Sequence, residues 1–370
     1  MKALFVLKYR EDPYHLEYGA STWGDKGHGN SRLLSSGLFN SAHFVVDMLV
    51  KNKVRAKLVH VIDNNAIHKE IVDYSNEPGG PVTHVIIEAF WVVPEKFDVL
   101  REACPGVEFV IRNHSEAPFL AQEGIAFDWA LRYVDKENVA IACNADRMLQ
   151  EMRFLVEQKH EDWSEYKLKQ KVPYLPNYYP LDTYQKIKPW NDPEFLDVGC
   201  FGAIRPLKNH VVQAIAAIMF ADKQGKKLRF HINGSRVEGN GQSILHNLRG
   251  IFNQYPEHEL IEHGWFQHED FKYLVSQMDM VLQVSFSETF NIVAADAVSQ
   301  DVPVVTSKEV AWGNSLYHAD PTSSEDICGA MERAWYTRWF FWKLNLSLDG
   351  LKKYNTISER AWLKFFGVKK

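Results

Sequence analysis

The chain has 370 residues, 46% hydrophobic and 24% charged, too many for one ordinary domain and enough for two with cores of their own. Its formal net charge of −5 speaks against a protein that coats nucleic acid through overall basicity, though not against a local basic groove. Its four cysteines, Cys104, Cys143, Cys200 and Cys328, form no CxxC pair and no metal-ligand spacing; each lies in or beside an apolar run, which predicts buried thiols in a reducing compartment.

The N-terminal MKALFVLKYRED turns charged after about six apolar residues, too few for the apolar region of a signal peptide. No later stretch approaches the ~20 apolar residues of a membrane span, so a cytoplasmic protein with no membrane span is expected. Ala3–Leu7 reads as the first strand, and a polar, Gly-bearing loop follows. An amphipathic helix is predicted over Ser36–Val50, then strands at Lys57–Ile62, His84–Ala89, Phe109–Arg112 and Val139–Cys143, and a helix over Ala145–Glu157. From Lys171 to Pro193 five prolines interrupt every period, which reads as a linker.

The alternation then restarts. Strands are predicted at Phe195–Phe201, Leu228–Ile232, Glu259–His263, Met280–Val284 and Val302–Thr306. Helices fall between them at Lys208–Asp222, Ser243–Asn253, Glu269–Gln277 and Ile292–Ser299. Arg333–Lys343, with Trp335, Trp339, Phe340, Phe341 and Trp342, reads as an aromatic helix packed against the body, and Ser358–Phe366 as a shorter one. Strands alternating with helices predict an α/β protein of two doubly wound parallel-sheet domains. The boundaries expected are 1–180, 181–335 and a C-terminal pair of helices over 336–370. In such sheets ligands bind beyond the carboxyl ends of strands, so chemistry is sought there.

The richest cluster runs Ser285-Phe286-Ser287-Glu288-Thr289-Phe290-Asn291-Ile292, then Asp296-Ala297 and Pro303-Val304-Val305. The backbone N–H groups at Phe290, Asn291 and Ile292 are predicted helix-start donors, suited to a diphosphate. Two helical turns span about 7.2 residues, which would bring Asp296 under Glu288. A carboxylate there can accept hydrogen bonds from sugar hydroxyls. The same spacing also suits a capping Glu288 and a solvated Asp296. A second cluster, Gly199 through Asn209, carries Arg205 and Lys208 at a strand–helix junction, a fork and a point charge suited to phosphate.

The first block resembles the donor-site motif of retaining glycosyltransferases of the GT-B fold, particularly the large family-four type. That motif has Glu, seven residues, Glu, a small residue, and a Gly-x-Pro-Val tail; Glu288, Phe290 and Pro303 match its offsets. Asp296 stands where the second Glu is usual, and Asn291 and Asp301 replace glycines. The resemblance implies two Rossmann-like domains facing across a cleft, with a C-terminal helix crossing back. It implies that Glu288 holds the donor sugar's hydroxyls and Asp296 the nucleotide ribose, while Arg205 and Lys208 neutralise the leaving diphosphate. Gly202 belongs to the same turn. Gly234 and Trp265 lie in turns that this family sets near the nucleotide, and His114 matches a histidine that reaches toward the donor sugar. Glu116 is an acceptor-side candidate. So are Gly27 and Gly29, in the position of the family's first-strand glycine loop. No Asp-x-Asp metal anchor occurs; the expectation is a nucleotide-sugar donor, most readily a UDP-sugar, with retention and with no cofactor or metal.

The runs Ser35–Ala42 and Ile87–Lys96 are similar to tailed-bacteriophage glycosyltransferases. That resemblance implies a hydroxymethylated pyrimidine of duplex DNA as acceptor, flipped into a pocket and tracked by basic residues. Lys51–Lys57 and Lys167–Lys171 are the candidate tracks, or else solvated faces. Two other readings stand beside it: a transferase acting on a glycan, lipid or small metabolite, and an inactive sugar-nucleotide or DNA-binding module.

Overall fold

The computed structural model describes residues 1–9, 37–181, 192–340 and 346–368, without the side chains of 338–340. The chain divides into two units, one of 1–10, 36–180 and 354–370, the other of 11–35 and 181–353. The first unit contains β1 (Lys2–Lys8), α1 (Gly37–Lys51), β2 (Arg55–Val61), α2 (Ala66–Asn76), β3 (His84–Glu88), α3 (Lys96–Ala103) and β4 (Glu108–Asn113). It continues through α4 (Ala117–Leu120), α5 (Ala126–Asp135), β5 (Val139–Cys143), α6 (Asp146–Lys159) and α7 (Glu165–Lys171). Its strands pair in parallel in the order β2-β1-β3-β4-β5.

Both faces of this sheet are covered, which is why its strands read as apolar runs without clean alternation. Leu4 and Val6 pack with Val85, Ile87 and Phe109 on one face. Ala3 and Phe5 pack with Ile86, Val110 and the α1 residues Val45 and Leu49 on the other.

The second unit carries β6 (Phe195–Gly199), a 3-10 turn over Pro206–Lys208, α8 (His210–Gln224), β7 (Lys227–Ile232), α9 (Gln242–Gln254) and β8 (Glu259–Glu262). It goes on with α10 (His268–Ser276), β9 (Met280–Gln283), α11 (Ile292–Ser299), β10 (Val304–Thr306) and α12 (Ser324–Phe340). The parallel order is β10-β9-β6-β7-β8. The two faces of this sheet differ in kind. Leu196, Val198, Leu228, Phe230, Met280 and Leu282 point into an apolar core with α8, α9 and α12. The intervening Asp197, His231, Gln283 and Thr306 are buried too, beside Val281 and Val304, so the opposite face mixes polar and apolar residues. α11 packs against β9, β10 and α10 and contributes nothing to that apolar core.

The last helix, α13 (Leu346–Phe365), starts twelve residues before the predicted Ser358, and α12 starts nine before the predicted Arg333. Leu346 packs against the second unit's core; Trp362, Leu363 and Phe366 complete the first unit's. Trp362 is fully buried and its indole donates to the Pro176 carbonyl at 2.8 Å. The stretch read as a linker is therefore tied down in its first half. Leu175 N donates to Cys143 O at 3.0 Å, beyond the end of β5, and Asn355 of α13 exchanges hydrogen bonds with Tyr179 at 2.6 and 3.1 Å. Prolines remove ladder donors but do not prevent such edge pairing. Of the predicted aromatic helix, Trp335 packs edge-on to Phe220; Phe341 and Trp342, and the side chains of Trp339 and Phe340, lie outside the described residues. All four cysteines are free and buried, and no helix among the described residues is long and apolar enough to cross a membrane.

Candidate active site

In the second sheet β6 and β9 are neighbours whose connections leave on opposite faces, α8 on the apolar one and α11 on the mixed one. A crevice opens at such a point in a doubly wound sheet. The loop after β6 enters it as a tight course. Gly202, at φ +109°, donates its N–H to Asn233 Oδ1 at 2.9 Å, and Ile204 bridges to Val237. The 3-10 turn then delivers Lys208, and Asn209 at φ +60° starts α8. From the other side the loop after β9 brings Glu288, whose carboxylate pairs directly with the Lys208 ammonium. Both side chains are largely buried.

The two loops are fixed to each other by main-chain groups. Gln213 of α8 donates to Lys208 O at 2.8 Å and accepts from Val284 N at 2.8 Å. Asn209 Nδ2 donates to Val284 O at 3.1 Å, and Phe286 N donates to Leu207 O at 2.9 Å. The Lys208–Glu288 pair therefore sits on a pre-set frame, as charge-stabilising groups require.

Glu288 and Asp296 are not stacked on one helix. α11 begins only at Ile292, because Asn291 takes φ +61° and breaks the helical course between the two acids. Asn291 Oδ1 caps the helix by accepting from Ala294 N at 2.9 Å, and its Nδ2 donates to Gln283 Oε1 at 2.9 Å. Gln283 in turn donates to Phe201 O at 2.9 Å, tying the cap to the β6 loop. The N–H of Ile292 lies in the first turn of the helix, where no intrahelical acceptor exists. Phe290 is buried and its carbonyl accepts from the Trp312 indole at 2.7 Å, so its side chain is core. Asp296 is buried rather than solvated, with His268 Nε2 at 2.7 Å from its Oδ1.

The non-glycine residues in the motif have a backbone explanation. Asn291 and Asp301 both take positive φ, +61° and +57°, a region that glycine adopts freely and Asn and Asp tolerate better than other residues. Asn291→Ala should destabilise the protein by about 3 kcal/mol, from the left-handed backbone, the lost cap and the orphaned Gln283. Asn291→Gly should cost clearly less; equal urea midpoints for the two variants would contradict this account.

The other residues expected on the donor side lie at neighbouring strand ends. Arg205 has its guanidinium 3.8 Å from Glu238, which also pairs with Arg236 at 2.6 Å; Arg236 lies over the Trp265 ring at 4.4 Å. Gly234 packs so closely on Glu262 that an added Cβ would meet its Oε2 at 2.4 Å. Asn233 also donates to Gly264 O at 3.3 Å. Through Asn233 the turns after β6, β7 and β8 are thus joined.

Below them runs a chain of polar groups that the sequence reading missed. His231 Nε2 lies 2.9 Å from Asp197 Oδ1, and His231 Nδ1 lies 2.8 Å from His263 Nε2. A carboxylate can only accept, so His231 donates to Asp197 and accepts from His263. Burial, then the neighbouring His231, lowers His263 to about 4. Its folded value lies below the unfolded one, so its contribution is complete above about pH 6.5 and drains as pH falls toward 4. After allowance for partial exposure the loss is about 2 kcal/mol. Urea midpoints from pH 7 to 4 should show it, with a shallower slope in His263→Gln.

In the first unit His114 does not stand alone after its strand. Its Nε2 contacts Glu88, and its Nδ1 lies 3.4 Å from Asn144 Nδ2. Glu88 also faces Arg112 Nη1 at 3.2 Å, and Arg112 donates to Leu175 O at 3.0 Å and Asn177 Oδ1 at 2.6 Å. Burial and then Arg112 lower the His114 pKa, outweighing Glu88. Burial would raise Glu88, but Arg112 and His114 bring it below its ordinary value. Glu116, nearly buried, pairs with Arg147 at 3.1 Å. Gly27 and Gly29 lie outside the described residues. Of the basic runs, Lys171 is spent on the carbonyls of Lys136, Glu137 and Val139, Lys169 on Glu165 and Lys57 on Glu77, while Lys167 covers Trp163.

No family model matches this chain, and no curated protein matches it. Solved structures do. One from E. coli, described as trehalose-6-phosphate bound with UDP-2-fluoro glucose, aligns over 99% of this chain and 98% of its own, at TM-score 0.62 and 10% identity. A UDP-forming α,α-trehalose-phosphate synthase from Burkholderia xenovorans aligns over 82% and 76%, at 0.59 and 13%. TarM from S. aureus, as a point mutant in complex with fondaparinux, α-GlcNAc-glycerol and UDP, aligns over 81% and 58%, at 0.52 and 13%. At these identities the likeness is one of fold, and on it the chain has the paired Rossmann-like architecture of GT-B glycosyltransferases.

Proposed function

We propose that this chain is a glycosyltransferase that takes a sugar from a nucleotide-sugar donor bound on its second unit. The observation that carries the reading is the Lys208–Glu288 pair at the β6/β9 crevice, beside the open first turn of α11. Two of the similar structures bear UDP or a UDP-sugar analogue, which makes a UDP-sugar the first donor to try. In this reading Lys208 and Arg205 neutralise the departing diphosphate, with the helix-start N–H groups adding donors. Glu288 accepts from the sugar hydroxyls, Asp296 from the ribose, and the turns at Gly202, Gly234 and Trp265 line the nucleotide. In the first unit His114 is the candidate for a contact with the sugar, and Glu116, Gly27 and Gly29 are the candidates for the acceptor.

The bond from the anomeric carbon to the phosphate oxygen breaks, and the acceptor oxygen bonds to the same face. The acceptor's proton passes to the leaving phosphate. Retention follows from the motif that Glu288 heads. No metal is needed for charge that two fixed cations already meet.

For the acceptor, a hydroxymethylated pyrimidine of phage DNA rests on local sequence likeness alone. The intramolecular engagement of Lys57, Lys169 and Lys171 leaves those runs less to offer a phosphate backbone, which favours a glycan, lipid or small-metabolite hydroxyl. A thermal-shift panel of nucleoside diphosphates and their sugars tests the donor. A ligand at about 100 times its Kd adds roughly 2.7 kcal/mol of stability, so UDP or its sugars should raise the melting temperature by several degrees. No response to any nucleotide would sink the reading. Duplex-DNA binding with a steep salt dependence would restore DNA as the acceptor.

A further inference from the structure

Directly after the turn that carries Arg205 and Lys208 stands a buried side chain that the donor chemistry above does not use. His210 is the first residue of the fifteen-residue α8, is 1% exposed, and neither ring nitrogen has a hydrogen-bond partner in the protein. Its position shows which way it looks. His210 begins the stripe that continues through Ala214, Ala217 and Ala221, all buried against the sheet, so at the helix start it stands over the strand ends. Arg205 and Lys208 both act on it electrostatically, and burial together with these two charges lowers it to about 3. The ring is neutral at any working pH and offers one N–H donor and one acceptor.

A buried imidazole without a partner forfeits the hydrogen bonds it made in water, so such groups are rare and point to a ligand. The first-turn N–H groups of α8 and two cations on the turn before it make the surroundings attractive to an anion. We infer that His210 is a further donor-positioning residue, giving its ring N–H to an oxygen of the nucleotide-sugar's diphosphate next to Arg205 and Lys208. This inference deepens the proposed function and rests on it.

Inorganic pyrophosphate is the probe, since it carries the phosphates without a base. In the full-length protein it should bind His210→Phe about tenfold more weakly than wild type, the worth of one charge-assisted hydrogen bond. His210→Gln, which keeps an N–H donor, should recover most of that loss. Uridine, lacking phosphate, should bind all three alike. In the wild type, pyrophosphate should move the ¹⁵N signals of the His210 ring and uridine should not. Wild-type pyrophosphate affinity in His210→Phe overturns the inference. So do equal losses for uridine and pyrophosphate in both variants, which mean a packing role, and so does an unmoved His210 ring in saturated wild type. Should wild type and Lys208→Met both ignore pyrophosphate and UDP, the donor reading itself falls and takes this inference with it.

Discussion

Lys208→Met should lower the turnover of sugar transfer about a hundredfold to a thousandfold while the protein stays folded at 25 °C. The estimate follows from what one pre-positioned charge-stabilising group contributes when charge develops on a leaving oxygen. In the proposed mechanism Lys208 meets that need; its carbonyl is bound by Gln213 and its ammonium by Glu288. Removing it takes away the charge and leaves the Glu288 carboxylate without that partner, so binding of the intact donor should also weaken. Lys208→Arg keeps the charge but not the compact geometry, and should recover part of the rate. Steady-state kinetics with a donor chosen from the thermal-shift panel decides the matter. Wild-type kcat in the methionine variant would remove Lys208 from the mechanism.

The largest effect on stability is expected in the first unit. Arg112 and Glu88 are both completely buried and face each other at 3.2 Å. A buried pair gains little over an apolar core, but losing one member costs about 3–5 kcal/mol where the other is left uncompensated; here His114 stays beside Glu88 and offsets part of that cost. Arg112→Met also deprives the Leu175 carbonyl of its donor and Asn177 Oδ1 of one of two, Asn144 remaining at 3.2 Å, so a loss within that range is expected. The double variant Glu88→Leu/Arg112→Met should be more stable than Arg112→Met alone, since no isolated charge remains. Urea denaturation of the three proteins tests this. A loss below about 1 kcal/mol in the single variant would mean that the network is solvated in a way its burial contradicts.

Most of the architecture was legible in the sequence because each parallel strand is an apolar run flanked by helical periods. Val139–Cys143 and Ile292–Ser299 lie where the pattern sets them, and most of the other strands shift by two residues or fewer. α12 was read too short because its buried stripe is built from Ile327, Cys328, Ala330, Met331 and Ala334, where small residues blur the period. The polar stretches around Lys208 and Glu288, each directly after an apolar strand, stood out in the sequence, and the structure joins them in one ion pair. The arithmetic of two helical turns between Glu288 and Asp296 failed on one torsion, the positive φ of Asn291.

What sequence could not reveal is who partners whom. Glu88 ends the run HVIIE and Gln283 ends MVLQ, each a polar residue closing an apolar strand, and that signal could have marked both. Arg112 and His114 lie 24 and 26 residues from Glu88, and Phe201 lies 82 from Gln283; pairing of strands brings them together. His210 gave no sign, because a lone histidine at a helix start is ordinarily structural.

The closing helix has a bearing on how the molecule is made. Trp362 and Phe366 belong to the same core as Phe5 and Val45, so synthesis from the amino end yields a first sheet lacking part of its cover until α13 has been made. During that interval the strands of the first unit would wait with an apolar face uncovered, a condition that invites aggregation. A ribosome-tethered or truncated fragment ending near residue 180 should therefore bind a hydrophobic dye that the full chain ignores.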